Sequence, residues 1–331
     1  MVREAVFYAR REEKKVKCLL CPHGCVISPG KNGICRVRKN MSGRLVSLNY
    51  GKVTALALDP VEKKPLYHFF PGRNILSLGS LGCNFSCGFC QNYHIAHGEP
   101  ALYEIFPDEL LSLALEEQSR DSVGVAFTYN EPLIWYEYIM DTAEKLKSHG
   151  LKTVLVTNGY INKEAFKKLL PLIDALNIDI KAFNEEFYRR HCRGDLKTVL
   201  DNVELAASCA HVEVTSLLIP RENDAREEIK GLAAFLARIS PFIPLHFSRY
   251  YPAYKFTLPP TPEEILHQAR DTAREYLHFV YLGNLPGEEN DTVCLKCQNL
   301  LIRRRIYQVF PVGIRDGRCS FCGEELSYIV M

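Results

Sequence analysis

The chain has 331 residues, of which 47% are hydrophobic, and a formal net charge of +2. This length and apolar content allow one large domain with small additional modules. The near-neutral charge predicts neither nucleic acid nor a membrane surface as a bulk electrostatic partner. The sequence shows no secretory signal pattern and no apolar run of about 18 residues, which predicts a cytoplasmic protein. The 13 cysteines then indicate metal binding rather than disulfides, because a reducing compartment keeps thiols free.

Residues 1–73 are predicted to form a small module that a metal holds together. Its cysteines follow a C-x2-C-x3-C-x9-C pattern, with turn-forming proline and glycine between them: Cys18, Cys21, Cys25 and Cys35. A short segment with little apolar content needs such a metal to be ordered. The spacing leaves open a structural zinc ion or an auxiliary iron–sulfur cluster. Residues 59–70 are predicted to be a loop that leads into the next domain.

The second cysteine group is Cys83, Cys87 and Cys90, on a short loop with the spacing C-x3-C-x2-C. Three thiolates are one too few for a closed tetrahedral zinc site and one too few to hold every iron of a 4Fe-4S cluster. A cluster on this loop would therefore keep one iron open to another ligand. His94 leaves open the alternative of a structural zinc bound by three cysteines and one histidine.

Between residues 74 and 284, short apolar runs alternate with amphipathic helical stretches, which indicates βα units and a parallel sheet. The predicted strands are Ile75–Gly79, Gly124–Thr128, Thr153–Thr157, Ala175–Ile180, Val212–Leu218, Leu245–Ser248 and Phe279–Leu282. The predicted helices include residues 132–148, 163–170, 197–207, 225–239 and 262–276. Six or seven units are too few for a closed eight-stranded barrel. The predicted fold is therefore α/β, an open partial barrel of about six parallel strands with a small metal-binding module at each end.

Polar or glycine residues follow the carboxyl end of each predicted strand. These groups are the cysteine loop and residues 129–131, 158–159, 179–181, 215–223, 246–249 and 283–284. In a barrel of parallel strands, the functional site is built at this rim. The shared position of these groups favours an iron–sulfur cluster over zinc at Cys83–Cys90.

The last segment, residues 285–331, is predicted to be a zinc ribbon. Two C-x2-C pairs are separated by 21 residues, and their members are Cys294, Cys297, Cys319 and Cys322. Arg303, Arg304 and Arg305 lie between the pairs, beside Tyr307. These side chains could contact nucleic acid, or they could be the solvated basic strand of a ribbon. Cys192 and Cys209 stand alone and are predicted to be small buried residues.

Several stretches resemble a known family. The loop LGCNFSCGFCQN matches the signature of the radical S-adenosylmethionine (SAM) superfamily, in which three cysteines hold a 4Fe-4S cluster and SAM binds the open iron. With CLLCPHGC, TYNEP, VTNGY, LNIDIKAF and YLGN, the chain resembles the radical SAM enzyme of the AmmeMemoRadiSam system, itself similar to the activating enzymes of pyruvate formate-lyase.

This resemblance implies an oxygen-sensitive enzyme that cleaves SAM reductively to methionine and a 5′-deoxyadenosyl radical. The radical would abstract hydrogen from a glycyl residue or another macromolecular substrate. The implied partners are a flavodoxin- or ferredoxin-like reductant and Memo-like and AMMECR-like proteins. Two alternatives stay open, namely radical modification of RNA and a non-enzymatic, zinc-stabilised protein that binds nucleic acid or a partner.

The resemblance also implies a set of residues around SAM: Asn92, Tyr129, Asn130, Glu131, Asn158, Asp179, Lys181 and Arg249. Lys181 would meet the carboxylate of SAM, and Asp179 its ribose or its ammonium group. Arg249 occupies a place where the activating enzymes have a histidine. No side chain is expected to act as a general acid or base, because the radical comes from SAM itself and the protein orients it and excludes water.

Overall fold

The computed structural model describes residues 2–305 and 307–331, so that Met1 and Ile306 lie outside this description. Its N-terminal part forms small antiparallel sheets around the first cysteine group. The strands are β1 (Arg3–Glu4), β2 (Tyr8–Arg10), β3 (Val16–Cys18), β4 (Val26–Ile27), β5 (Arg38–Met41), β6 (Arg44–Ser47) and β7 (Lys52–Val53). One sheet has the order β1-β6-β5 and another has the order β2-β3-β4. The buried amide of Asn40 joins them, because it donates to the carbonyls of Lys14 at 2.8 Å and Ile27 at 2.7 Å.

The next strands build the central sheet of the protein. They are β8 (Ala55–Pro60), β9 (Asn74–Gly79), β10 (Tyr103–Glu104), β11 (Ser122–Phe127), β12 (Lys152–Thr157), β13 (Ala175–Asp179), β14 (His211–Leu218), β15 (Leu245–Arg249) and β16 (Val280–Gly283). Within residues 2–305, this sheet has the order β16-β15-β14-β13-β12-β11-β9-β8, while β10 pairs with β7. Seven of its strands run parallel, and β8 lies antiparallel to β9. Since β8 and β16 lie at opposite ends of this order, the structure is an open partial barrel.

The predicted fold class is confirmed, with seven parallel strands instead of about six. β8 was not predicted, and it extends the sheet to the N-terminal side of residue 74, where the core was expected to begin. Most of its residues are half-buried or exposed, although residues 55–58 are an apolar run in the sequence. The register of β8 on β9 joins Ala55 to Gly79 and Pro60 to Asn74.

Helices cover the outside of the sheet and separate its parallel strands. They are α1 (Tyr93–Ala96), α2 (Pro107–Glu116), α3 (Tyr136–Ser148), α4 (Lys163–Leu169), α5 (Glu185–Phe187), α6 (Leu196–Ala207), α7 (Arg226–Ile239) and α8 (Glu263–Arg274). All five predicted helical stretches are present. The first is divided into a 3-10 turn, Pro132–Trp135, followed by α3. The side chain of Asp195 starts α6, because it accepts a hydrogen bond from the Thr198 amide at 2.8 Å.

The C-terminal part is a set of short hairpins, β17 (Thr292–Val293), β18 (Leu300–Arg305), β19 (Gln308–Phe310), β20 (Ile314–Arg315) and β21 (Arg318–Cys319). It packs on the segment between β8 and β9, because the Phe70 amide and the Val330 carbonyl form a 2.8 Å hydrogen bond.

Residues 61–70 begin with a 3-10 turn, Val61–Lys63, and then cross below the sheet. The carbonyl of Pro65 accepts from Asn177 of β13 at 2.8 Å, and the amide of His68 donates to Glu213 of β14 at 2.7 Å. The predicted loop is thus the floor of the barrel. In the described part of the chain, none of the helices has the length and apolar content needed to cross a membrane.

Candidate active site

A cavity of about 350 Å³ lies at the carboxyl ends of the parallel strands. The loop that follows β9 brings Cys83, Cys87 and Cys90 into its wall. The structure also places seven of the eight residues expected around SAM in this wall, namely Asn92, Tyr129, Asn130, Glu131, Asn158, Asp179 and Lys181. Strand ends distant in sequence therefore meet at one site, as the parallel sheet requires.

Three of the asparagines in the wall hold the cysteine loop in place. Asn130 accepts a hydrogen bond from the Ser80 amide at 2.9 Å and donates to the Gly82 carbonyl at 3.0 Å, just before the first cysteine. Asn92, just after the last cysteine, donates to the Tyr129 carbonyl at 2.8 Å. Asn158 donates to the side-chain oxygen of Asn84 at 2.9 Å. Each side chain fixes one part of the loop to a neighbouring strand end.

The carboxylate of Glu131 is buried and fully engaged with the chain itself. It accepts hydrogen bonds from the Leu133 amide at 2.9 Å, the Thr157 hydroxyl at 2.6 Å and the Asn158 amide at 2.8 Å. Burial raises the pKa of Glu131 to about 7, although these three donors act in the opposite direction. The carboxylate therefore ties the loop after β11 to the end of β12.

Asp179 and Lys181 form an ion pair in the cavity wall, with Nζ of Lys181 2.6 Å from Oδ2 of Asp179. Burial by itself would lower the pKa of Lys181, but the charge and the hydrogen bond of Asp179, together with the nearby cysteines, outweigh burial and raise this pKa. The lysine consequently stays charged. Its charge lies at the end of β13, on the same cavity as the three thiols.

A second ion pair in this wall has no signal in the sequence. Lys64, only 2% exposed, lies on the barrel floor with Nζ 2.8 Å from Oδ2 of Asp59. The Tyr129 hydroxyl donates to the same oxygen at 2.8 Å, and Lys64 lies over the Tyr129 ring at 4.9 Å. Burial alone would raise the pKa of Asp59, but Lys64 and Tyr129 together hold this pKa at about 2. A lysine in a predicted loop would ordinarily be solvated, so only the crossing of residues 61–70 below the sheet reveals this pair.

The structure does not bring Arg249 into the cavity wall. Its Nε donates to the Thr261 carbonyl at 2.8 Å, and its Nη1 lies 3.0 Å from Glu263 at the start of α8. Ser248 and Asn284 line the cavity at this position instead, and the Asn284 amide donates to the Ser248 hydroxyl at 2.9 Å. The side chain at the end of β15 that faces the cavity is thus the neighbour of the expected residue.

The two isolated cysteines differ in their surroundings. Cys192 is fully buried, as predicted, and its carbonyl accepts from the Ser86 amide of the cysteine loop at 3.0 Å. Cys209 is exposed, so the prediction that it is buried was wrong. It follows α6 at the surface, where its thiol contacts the Leu205 and Ala206 carbonyls.

The C-terminal cysteines form a compact metal-binding group. The sulfur of Cys294 lies 3.7 Å from that of Cys322, and the sulfur of Cys297 lies 3.7 Å from that of Cys319. All four sulfurs lie within 4.8 Å of one another. This spacing suits one metal ion in tetrahedral coordination.

The N-terminal cysteines, Cys18, Cys21, Cys25 and Cys35, converge on a separate narrow cavity. His94, the alternative zinc ligand of the central group, is exposed and lies outside the wall of the large cavity. The large cavity itself has the size of a ligand site, and its three thiols and charged Lys181 fit a 4Fe-4S cluster and the carboxylate of SAM.

Comparison with known proteins agrees with this geometry. The profile described as "Radical SAM superfamily" matches residues 78–236. "Uncharacterized protein MJ0808" of Methanocaldococcus jannaschii is 40% identical, covering 99% of this chain and 100% of that protein. The pyruvate formate-lyase-activating enzyme of Clostridium pasteurianum is 26% identical over 48% of this chain and 67% of its own length. The crystal structure of Streptococcus suis SuiB bound to S-adenosylmethionine has a TM-score of 0.52 and 13% identity, covers 64% of this chain and 52% of that one, and supports the fold.

Residues 78–236 of the chain are a radical SAM domain. The protein is an enzyme of the radical SAM type, and such a domain implies a 4Fe-4S cluster and SAM as cofactors. "Putative glycyl-radical enzyme activating enzyme MJ1632" of Methanocaldococcus jannaschii is 28% identical over 62% of this chain and 79% of its own length.

Proposed function

We propose that this enzyme binds a 4Fe-4S cluster through Cys83, Cys87 and Cys90 and uses SAM to abstract hydrogen from a glycyl residue of a protein substrate. The observation that carries the proposal is that the three thiols and the Asp179–Lys181 pair share one cavity at the strand ends. When bound, the cluster supplies the electron that cleaves SAM into methionine and a 5′-deoxyadenosyl radical. The protein residues bind, orient and shield SAM.

The polar wall residues divide into two roles in this proposal. Lys181 binds the carboxylate of SAM, and Asp179 accepts from its ammonium group or from its ribose hydroxyls. Asn92, Asn130, Asn158 and Glu131 are positioning residues, because their side chains already bond to the chain. Tyr129 shapes the wall through its bond to Asp59. Arg249, which is bound to Thr261 and Glu263, has no part in SAM binding in this proposal.

The substrate class rests on the relatives. The similarity to a protein named as a putative glycyl-radical enzyme activating enzyme supports a glycyl residue as the hydrogen donor. The proposal includes a flavodoxin- or ferredoxin-like reductant, because reductive cleavage needs a one-electron donor. We also propose that the enzyme is of the AmmeMemoRadiSam subtype, with Memo-like and AMMECR-like partners, and that the four C-terminal cysteines bind a zinc ion. The proposed location is the cytoplasm, because many of the cysteines are free thiols.

The modification of RNA is the second candidate, and the arginines of β18 do not favour it. Arg304 is 2% exposed, and its guanidinium donates to the Tyr67 carbonyl and the Thr292 hydroxyl. Arg305 forms ion pairs with Glu289 and Asp291. Arg304 is therefore bound inside the protein, and Arg305, although exposed like Arg303, is paired with two carboxylates.

The test measures 5′-deoxyadenosine from SAM with anaerobically reconstituted protein and dithionite. We expect loss of cleavage in Cys87→Ala and a raised SAM dissociation constant in Lys181→Met. The control is Cys209→Ala, which removes an exposed thiol far from the cavity wall and should be unchanged. Wild-type protein that holds the cluster and does not cleave SAM would contradict the proposal.

To test the substrate, candidate proteins are produced in medium with deuterated glycine and are then incubated with the enzyme and SAM. Deuterated RNA is the competing substrate. We expect deuterium in 5′-deoxyadenosine from the protein and not from the RNA. Transfer from RNA alone would refute the glycyl substrate and leave the SAM chemistry intact.

A further inference from the structure

Four cysteines of the N-terminal part come together without any role in the cavity described above. Cys18 ends β3, and its amide bonds to the carbonyl of Cys25 at 2.9 Å, which closes the turn that also carries Cys21. Cys35 comes from the loop before β5. All four line one narrow cavity, and Cys18, Cys21 and Cys35 are buried. Four converging thiols are the donor set of a metal centre.

The distances between these sulfur atoms distinguish a zinc site from an iron–sulfur site. A single zinc ion with bonds of about 2.3 Å draws its four sulfurs together, as in the C-terminal quartet with its 3.7 Å distances. Among the described residues, no three of the N-terminal sulfurs lie within 4.8 Å of one another, and the same holds for Cys83, Cys87 and Cys90. A cubane cluster stands between its thiolates as a body of several atoms and keeps them further apart than one ion does. The N-terminal quartet thus shares the open spacing of the radical SAM cysteines.

A buried donor without a partner lies beside the same thiols. Arg38 lines the narrow cavity, and its side chain is 2% exposed. Its two terminal nitrogens bind Glu137 and the Ile134 carbonyl, whereas its Nε has no hydrogen-bond partner among the described residues. An unbonded buried donor is costly. A cluster with thiolate ligands is anionic and accepts hydrogen bonds from N–H groups. These hydrogen bonds also tune its reduction potential.

We propose that Cys18, Cys21, Cys25 and Cys35 bind a second 4Fe-4S cluster. Four thiolates hold all four irons, so this cluster has no open iron for SAM and serves electron transfer. Nε of Arg38 donates to the cluster or to one of its thiolates.

The N-terminal module lies directly against the loop of the SAM cluster. The carbonyl of Cys35 is so close to Gly82, next to Cys83, that a Cβ at this glycine would stand 2.6 Å from it. His23, between two of the N-terminal cysteines, bonds through Nε2 to the Asn84 carbonyl at 2.7 Å. The two cysteine loops are therefore in direct contact.

This contact provides a path for an electron from the second cluster to the SAM-binding cluster. The path rests on the proposed function. A reduced second cluster loses one electron and the SAM-binding cluster gains it, with no bond made or broken in the transfer itself. The electron comes from an external protein of the flavodoxin or ferredoxin class.

The test counts metals in the variant Cys83→Ala/Cys87→Ala/Cys90→Ala, which lacks the SAM-binding cluster. After anaerobic reconstitution we expect about four irons and four sulfides per chain, with an electron paramagnetic resonance signal of a one-electron-reduced 4Fe-4S cluster. We expect Arg38→Met/Glu137→Leu in this background, which leaves no buried charge without its partner, to shift the midpoint potential of the signal to a more negative value. The matched control, Cys209→Ala in wild-type protein, should hold about eight irons.

Zinc instead of iron at the N-terminal quartet, with no such signal in the triple variant, would overturn this proposal. Wild-type protein that holds both clusters and does not cleave SAM would refute only the proposed function. For the electron path, we expect Cys21→Ser/Cys25→Ser to lose SAM cleavage driven by reduced flavodoxin and to retain cleavage driven by dithionite. Unchanged cleavage with flavodoxin would refute the path.

Discussion

A buried ion pair fastens the N-terminal module to the barrel, and breaking it should destabilise the protein strongly. Nη1 of Arg38 on β5 donates to Oε1 of Glu137 on α3 at 2.8 Å, and Nη2 lies 2.7 Å from Oε2. The Val6 amide also donates to Oε1 at 3.0 Å. The substitution Glu137→Leu removes the carboxylate and leaves the arginine charge buried without its partner.

The expected loss follows from the burial of both groups. Each side chain is 2% exposed, so water cannot solvate the remaining charge. Removing one partner of such a buried pair lowers the free energy of unfolding by about 3–5 kcal/mol. The same two parts of the chain share an exposed pair, Arg3 with Asp141, whose side chains are 53% and 30% exposed. An exposed pair contributes about 1 kcal/mol or less, which makes Arg3→Ala the matched control.

The assay is an anaerobic urea titration followed by tryptophan fluorescence. Trp135 is the single tryptophan of the chain, and it is buried next to α3. We expect a large drop in the unfolding midpoint for Glu137→Leu and a small one for Arg3→Ala. The double variant Arg38→Met/Glu137→Leu should recover most of the loss, because it leaves no buried charge.

Equal, small effects of Glu137→Leu and Arg3→Ala would refute the reasoning, since burial would then not matter. A double variant as unstable as Glu137→Leu would show that packing, and not an uncompensated charge, causes the loss.

Three further predictions concern other parts of the fold. Thr157→Val removes a donor from the buried carboxylate of Glu131 and should lower the free energy of unfolding by about 1–3 kcal/mol in urea titrations. Cys294→Ser should lower the melting temperature while SAM cleavage per folded chain stays unchanged, because this cysteine lies outside the cavity. Burial lowers the pKa of His68 from 6.5 to about 3, so the stability from its neutral ring is lost as pH falls from 6.5 towards 3. Titrations between about pH 7 and pH 5 should show a shallower loss for His68→Gln than for wild type.

Each of these predictions has a contradicting outcome. An unchanged unfolding midpoint in Thr157→Val would mean that Glu131 does not depend on this hydroxyl. Loss of SAM cleavage in folded Cys294→Ser would connect the C-terminal metal to the active site. Equal pH slopes for wild type and His68→Gln would show that His68 does not bind a proton on unfolding in this range.

The sequence determined the repeating units of the fold and the position of its site. Seven apolar runs predicted the seven parallel strands, because a strand buried on both faces must be apolar along its length. The rim position of the polar residues followed from the same rule, since parallel strands end on one side. The spacing of Cys83, Cys87 and Cys90 indicated an incomplete ligand set by simple counting.

Contacts between distant segments were decided by the tertiary structure alone. The pairing of β8 with β9 at the edge of the sheet was not predicted. Lys64 became part of the wall because residues 61–70 cross below the barrel. The direction of a side chain at a strand end also could not be predicted from the sequence. In the structure, Ser248 lines the cavity and Arg249 does not. The spacing of sulfur atoms in the two four-cysteine groups depends on how loops pack in space. Sequence records which residues can bind a metal, whereas only packing sets the distances that decide which metal fits.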